Sequence, residues 1–154
     1  RMREAQRRVA DKDENAGLIV ALDAGLPTDI HPPDKQRVAK RAAALARTLI
    51  YGKNGPETPS PQRAYAQGGE VVIEFNGLAG AKAVSADEPI AFEVCEADGA
   101  CRYVAARADG ESVRLAAPEA FDPAYVRYCW GDAPVCNWYD AAGTPVTPFE
   151  LPLE

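Results

Sequence analysis

The sequence predicts an α/β chain in two parts: an unfinished α/β layer over residues 1–54, then a small all-β sandwich over residues 68–154. Three observations carry this reading. Residues 1–54 hold 11 basic and 7 acidic side chains, whereas 55–154 hold 6 and 16, with ten of the 13 prolines and all four cysteines. Between them, Gly52-Lys53-Asn54-Gly55-Pro56-Glu57-Thr58-Pro59-Ser60-Pro61 is dense in residues that cannot continue a helix or enter a central strand, so 55–67 reads as a linker. Finally, the hydrophobic period changes from helical to short-strand spacing across that linker.

In order, residues 2–12 predict a surface helix with Met2, Ala5, Val9 and Ala10 on one side and Arg3, Glu4, Arg7 and Arg8 mostly solvated. Gly17-Leu18-Ile19-Val20-Ala21-Leu22-Asp23 is apolar without alternation, which suits a strand covered on both faces in a parallel sheet; a buried helical turn is the alternative. After the Gly25-Leu26-Pro27 turn, a second helix is expected from Pro33 to Ile50. Proline is tolerated at its first position, Asp34 suits its positive end, and Val38, Ala42, Leu45, Ala46 and Leu49 form an apolar stripe.

The second region reads as strands at Glu70–Phe75, Ile90–Cys95, Arg102–Arg107, Ser112–Ala116, Tyr125–Trp130 and Asn137–Tyr139. Asp98-Gly99 and Asp109-Gly110 fit tight hairpin turns, because glycine tolerates the positive φ that such turns require.

Composition excludes some functions. With 23 acidic and 17 basic side chains, the 154-residue chain carries a net charge of -6, which argues against a nucleic-acid partner needing a broad basic face. No run of eighteen apolar residues occurs, so no membrane span is expected. A start at Arg1, inside a helical pattern, suggests a piece of a longer polypeptide.

His31 is the only histidine, and so the only side chain whose ordinary pKa suits proton transfer near neutrality. It follows a predicted buried strand and precedes a helix, the edge of an α/β sheet where ligand sites are built. Asp29, two residues earlier, could fold back to accept the imidazole Nδ1 proton and fix the tautomer. The bland reading is that Asp29 caps a turn and His31 donates a structural hydrogen bond. A single histidine with scattered carboxylates lacks the spacing of a zinc site, and neither metal nor cofactor is expected.

Asp29-Ile30-His31-Pro32-Pro33-Asp34-Lys35-Gln36, followed by the helix ending Leu49-Ile50-Tyr51-Gly52, resembles sialate O-acetylesterases and related carbohydrate acetylesterases of the SGNH hydrolase superfamily. Two later segments, Tyr125-Val126-Arg127-Tyr128-Cys129-Trp130 and Pro134-Val135-Cys136-Asn137-Trp138-Tyr139, resemble that family's closing β region, as does Gly143-Thr144-Pro145-Val146-Thr147-Pro148-Phe149. The resemblance implies that residues 1–54 are the C-terminal strand and helices of an SGNH-type α/β/α catalytic domain. It makes His31 the general base of an acyl-transfer triad acting on an acetylated carbohydrate. Asp29 is then the acid. The superfamily's acid usually precedes its histidine by three positions, where this chain has Thr28, so Asp23 at the strand end stands as second choice.

The nucleophile is not legible here. Only Ser60, Ser85 and Ser112 occur, none in a glycine-flanked nucleophile motif, and the resemblance places the serine and oxyanion donors in an upstream segment of the same protein. The rival reading is a noncatalytic carbohydrate-binding or structural sandwich, with His31 structural and exposed aromatics carrying any binding. Trp130, Trp138, Tyr128 and Tyr139 could stack on sugars, although alternation favours a core role, with Tyr128 and Trp130 on one side. The sugar, whether sialic acid, xylan or xyloglucan, is not specified.

Four cysteines allow three pairings. Cys95 and Cys101 flank one short turn and Cys129 and Cys136 another, which favours those two local bridges over four reduced thiols. Bridges would imply a periplasmic or secreted setting.

Overall fold

The computed structural model describes residues 1–31, 33–53 and 59–154; Pro32 and residues 54–58, which include the first part of the expected linker, lie outside the described residues. The chain is mostly β-sheet with two helices. It divides into two compact units, Arg1–Glu57 and Thr58–Glu154.

In the first unit, helix α1 (Met2–Lys12) occupies its expected span but buries the opposite face. Glu4 and Arg7 are buried at 4% and 7% exposure, whereas Met2 and Val9 are 78% and 62% exposed. The charged face tolerates enclosure because it neutralises itself. Arg7 pairs with Glu4 at 2.8 Å and with Asp11, and Arg8 reaches Glu4 at 2.6 Å, at the three- and four-residue spacings that bring side chains together on a helix. Burial works to raise the Glu4 carboxyl, but hydrogen bonds from Arg7 and Arg8 outweigh it and hold the group below its ordinary value.

The run 17–23 is not a strand. Residues 17–21 form no regular secondary structure and 22–24 form a turn, because among the described residues no strand lies alongside to accept backbone hydrogen bonds. Val20 and Ala24 are buried. At Gly17 a Cβ would stand 2.6 Å from Leu49 Cδ1 and 2.7 Å from Leu45 Cδ2, so any larger residue would require those side-chain ends to shift. That helix, α2 (Lys35–Tyr51), starts two residues later than expected, since Asp34 is its cap and accepts from the Arg37 amide at 3.1 Å. It ends where Gly52 turns left-handed at φ 60°. Its apolar stripe is not enclosed: no α2 residue is buried.

The second unit is a β-sandwich. Its strands are β1 (Ser60–Gln67), β2 (Glu70–Asn76), β3 (Lys82–Ala83), β4 (Phe92–Cys95), β5 (Cys101–Val104), β6 (Ala106–Asp109), β7 (Ser112–Ala116), β8 (Tyr125–Tyr128), β9 (Trp138–Tyr139) and β10 (Phe149–Pro152). One sheet runs β1-β2-β7-β6, the other β10-β8-β4-β5, and β3 pairs with β9. Both Asp-Gly hairpins form, between β4 and β5 and between β6 and β7.

Two expectations are corrected, and one further strand is found. Residues 60–67 are strand rather than linker: β1 is an edge strand with an irregularity at Pro61/Arg63, where a proline is tolerated, and the Gly68-Gly69 turn supplies two positive φ values of 62° and 80°. The single strand expected over 102–107 is two. It passes from one sheet to the other at Ala105, joining two sheet edges. β10 was hidden by Pro148 and Pro152, and its end clips the first sheet through Glu154 N, which donates to Ala64 O at 2.9 Å.

Inward residues from both sheets and the β9 segment form an aromatic core. Trp138 meets Phe75 edge-on at 5.3 Å and Phe92 at 5.8 Å between ring centroids, while Phe149 lies 5.6 Å from Phe75 and 5.8 Å from Tyr128. Trp138, Tyr128, Phe92 and Phe149 are all exposed by 1% or less.

The disulfides are Cys95–Cys101 and Cys129–Cys136. The first joins directly opposed residues of β4 and β5, with Cα atoms 4.1 Å apart. The second closes a loop after β8 rather than a hairpin, with Cα atoms 5.9 Å apart. Alkylation of denatured, unreduced protein should label no cysteine, and a nonreducing digest should yield both local links. A crossed linkage or a reactive thiol in the mass spectrum would contradict this pairing.

Candidate functional site

The candidate site lies in the turns between Asp23 and α2. Asp29 is held by its amide, which donates to Leu26 O at 3.3 Å, and by a bridge between Leu26 and Asp29. Its Oδ1 accepts from the His31 amide at 2.8 Å, an Asx turn that folds the carboxylate back over the residues that follow. The same Oδ1 lies 3.4 Å from His31 Nδ1. Asp29 and His31 are therefore brought together, the carboxylate at one ring nitrogen and Nε2 on the far side. The side chains are 49% and 82% exposed. The imidazole is open to whatever approaches it, and a carboxylate at Nδ1 is placed to orient the ring.

Asp23, the second choice for the acid, is committed elsewhere. It accepts from Arg41 at 2.6 and 2.9 Å and from Arg37 at 2.7 Å, while Arg41 also donates to Val20 O at 2.7 Å. Burial pushes its carboxyl up, but the hydrogen bonds from Arg41 and Arg37 prevail and hold it below the ordinary 3.8. Sequence reasoning could not weigh those arginines, because the pairing spans 14 and 18 residues.

The three serines belong to the sandwich. Ser60 opens β1, Ser85 sits at φ 63°, and Ser112 Oγ donates to Asp109 O at 2.8 Å across the β6–β7 turn. Among the described residues no three His, Cys, Asp or Glu side chains gather as a metal site would require.

A second feature lies on the sandwich. Trp138 and Tyr128 are core, so neither is available to a sugar. Trp130 is not core, against expectation: Cys129 adopts φ 56°, which ends the alternation of β8 and turns the next side chain outward. Its ring centroid stands 4.7 Å from the Arg127 guanidinium, itself paired with Glu150 at 2.9 Å. Across the outer face of this sheet Glu150, Arg127, Glu93 and Tyr103 stand in register. Burial pushes the Glu93 carboxyl up, with Arg127 opposing. Trp130 and Tyr103 line one groove of about 660 Å³. No local motif marks Tyr103, whose place on this face follows from the long-range order of the sheet, with β5 at its edge.

No family model matches the chain, and no curated protein matches it. Among solved structures it is similar to a carbohydrate acetylesterase from Xanthomonas citri, with a TM-score of 0.77 and 31% sequence identity over 83% of this chain. The chain spans 30% of that protein's length.

The Asp23 pairing has a measurable consequence for stability. Asp23 and Arg41 side chains are only 10% and 12% exposed, so Asp23→Asn should cost between about 1 and about 3 kcal/mol, the span from exposed to enclosed pairs. Because the folded carboxyl titrates below its unfolded value, its contribution is complete above about pH 4 and lost as pH falls through the folded value. Denaturation of the first unit, followed between pH 7 and pH 2, should show a flatter acid limb for the variant. Identical limbs would remove Asp23 from this role.

Proposed function

We propose that this chain is the C-terminal part of a serine-dependent carbohydrate O-acetylesterase of the SGNH type, with His31 as general base and Asp29 as its orienting acid. The observation that carries the reading is the likeness, in both sequence and structure, to a carbohydrate acetylesterase. The Asp29–His31 turn gives that likeness a chemistry. In the proposed step, His31 Nε2 takes the proton of a serine hydroxyl as its oxygen attacks the acetyl carbonyl, forming a tetrahedral oxyanion. The imidazolium then returns the proton to the departing sugar oxygen, leaving an acetyl-serine. Water repeats the sequence and releases acetate. Asp29 stabilises the imidazolium throughout and holds the tautomer with Nε2 free.

The serine and oxyanion donors are assigned to an upstream segment of the same protein. Two features support this. The apolar run 17–21 has no ladder partner among the described residues, and Met2, Val9, Leu49 and Ile50 are 78%, 62%, 44% and 72% exposed. Further strands and helices of an α/β layer would satisfy both. The two disulfides fit an oxidising compartment, so a periplasmic or secreted protein acting on acetylated glycans, sialate or plant-polysaccharide, is the accompanying proposal.

In the polypeptide that joins this chain to its upstream segment, His31→Ala should lower kcat for an acetyl ester by about 10² to 10⁴, with little change in KM. Asp29→Asn should lower kcat less, whereas Asp23→Asn should act through stability alone. Full turnover by a folded His31→Ala protein would reject the assignment.

A further inference from the structure

We propose that the groove on the sandwich that Trp130 and Tyr103 share is a binding site for a neutral oligosaccharide. It is built entirely from sandwich residues and does not depend on the esterase reading. Its volume of about 660 Å³ falls within the roughly 300–1,000 Å³ of small-ligand sites. Its surface is unusual for a face turned to water. Tyr103 is 70% exposed, Val135 80% and Ile90 43%, and Trp130 is half-buried beside them. A pyranose presents an apolar C–H face to an aromatic plane and a polar rim to its surroundings, so two rings in one groove suit consecutive sugars.

Charge selects among occupants. Glu88 is the one charged side chain among the described residues that line the groove, and the unit Thr58–Glu154 that carries it holds 15 acidic and 6 basic residues. An anionic sugar would meet a carboxylate with no cation in the lining. A basic peptide would find a single carboxylate, already accepting from the Ala108 amide at 3.0 Å. Neutral hydroxyls need neither cation nor anion, and can donate to Glu88.

The walls are set in advance. Buried Asn137 donates to Glu88 O at 3.1 Å and accepts from the Ile90 amide at 2.9 Å, which fixes the 88–90 segment. One residue away, the Cys129–Cys136 bridge closes the loop that carries Trp130 and Val135. A preformed groove spends little binding energy on ordering itself.

Calorimetric titration of the chain with xylohexaose, cellohexaose and mannohexaose, all free of acetyl groups, tests this, with hexagalacturonate as the anionic control. At least one neutral probe should bind and perturb tryptophan emission. Trp130→Ala and Tyr103→Ala should each weaken it by about tenfold, in line with the loss of one stacked ring. Tyr103→Phe, which keeps the ring, should retain binding, and near-UV circular dichroism should show the Trp138 core intact in every variant. Because these probes carry no ester, the outcome is independent of hydrolysis by His31. No neutral binding at millimolar probe, preference for hexagalacturonate, or affinity unchanged by loss of both rings would each overturn the proposal. So would a dimer that Trp130→Ala dissociates without any sugar being bound, which would give the groove to a second copy.

Discussion

The geometry of the first unit depends on one carboxylate. Residues 17–21 have no neighbouring strand among the described residues, so the hydrogen bonds that ordinarily fix a strand are not there to fix this segment. Asp23 replaces them at one end. By taking Arg41 and Arg37, while Arg41 also reaches Val20 O, it ties the end of the segment to two successive turns of α2. Gly17 ties the other end by its close approach to Leu45 and Leu49. With both ends fixed on one helix, the turn that leaves Asp23 and re-enters α2 at Asp34 has a defined base, and the Asx turn at Asp29 sets its tip. A carboxylate that already satisfies two guanidinium groups has little capacity left for an imidazole. Asp29, with one backbone amide and open surroundings, retains it.

The second unit is organised by the opposite principle. Its aromatic rings enclose one another, and position decides which are enclosed. Tyr128 ends β8 facing inward, but the left-handed backbone at Cys129 breaks the alternation, and Trp130 emerges against Arg127 on the outside. Trp138 follows Asn137, whose side chain holds the 88–90 segment, and enters the core through β9. Two tryptophans eight positions apart in sequence thus have different fates. The same short stretch supplies both the packing centre of the sandwich and the wall of its groove.

Much of this was legible in the residues because local chemistry dictates it. Helix spans, the Asp98-Gly99 and Asp109-Gly110 hairpins and the two bridges follow from periodicity, positive-φ requirements and spacing within a few residues. What escaped was non-local or proline-marked. β1 and β10 sit on sheet edges, where proline is tolerated, so the residues that argued against a strand were compatible with one. The switch of sheets at Ala105 carries no glycine or proline to announce it. The inverted face of α1 reflects ion pairs that let charge be enclosed, and the Asp23 pairing reaches across 14 and 18 residues. The Asp29–His31 contact was readable because it closes within two residues.

The units also differ in what holds them folded. The sandwich encloses a continuous apolar centre from both sheets, whereas the first unit's buried apolar residues, among those described, are Val20 and Ala24. On the proposed reading, the helices of the first unit find apolar partners, and residues 17–21 hydrogen-bond partners, in the upstream segment. On the same reading, His31 has a need of the same kind, for a hydroxyl and for oxyanion donors. One upstream α/β segment would meet all of these together, because strands laid beside residues 17–21 would carry their loops to the edge where the Asp29–His31 turn emerges. Completion of the layer and assembly of the chemistry would then be a single event, and an imidazole left exposed in this chain is what that coupling requires.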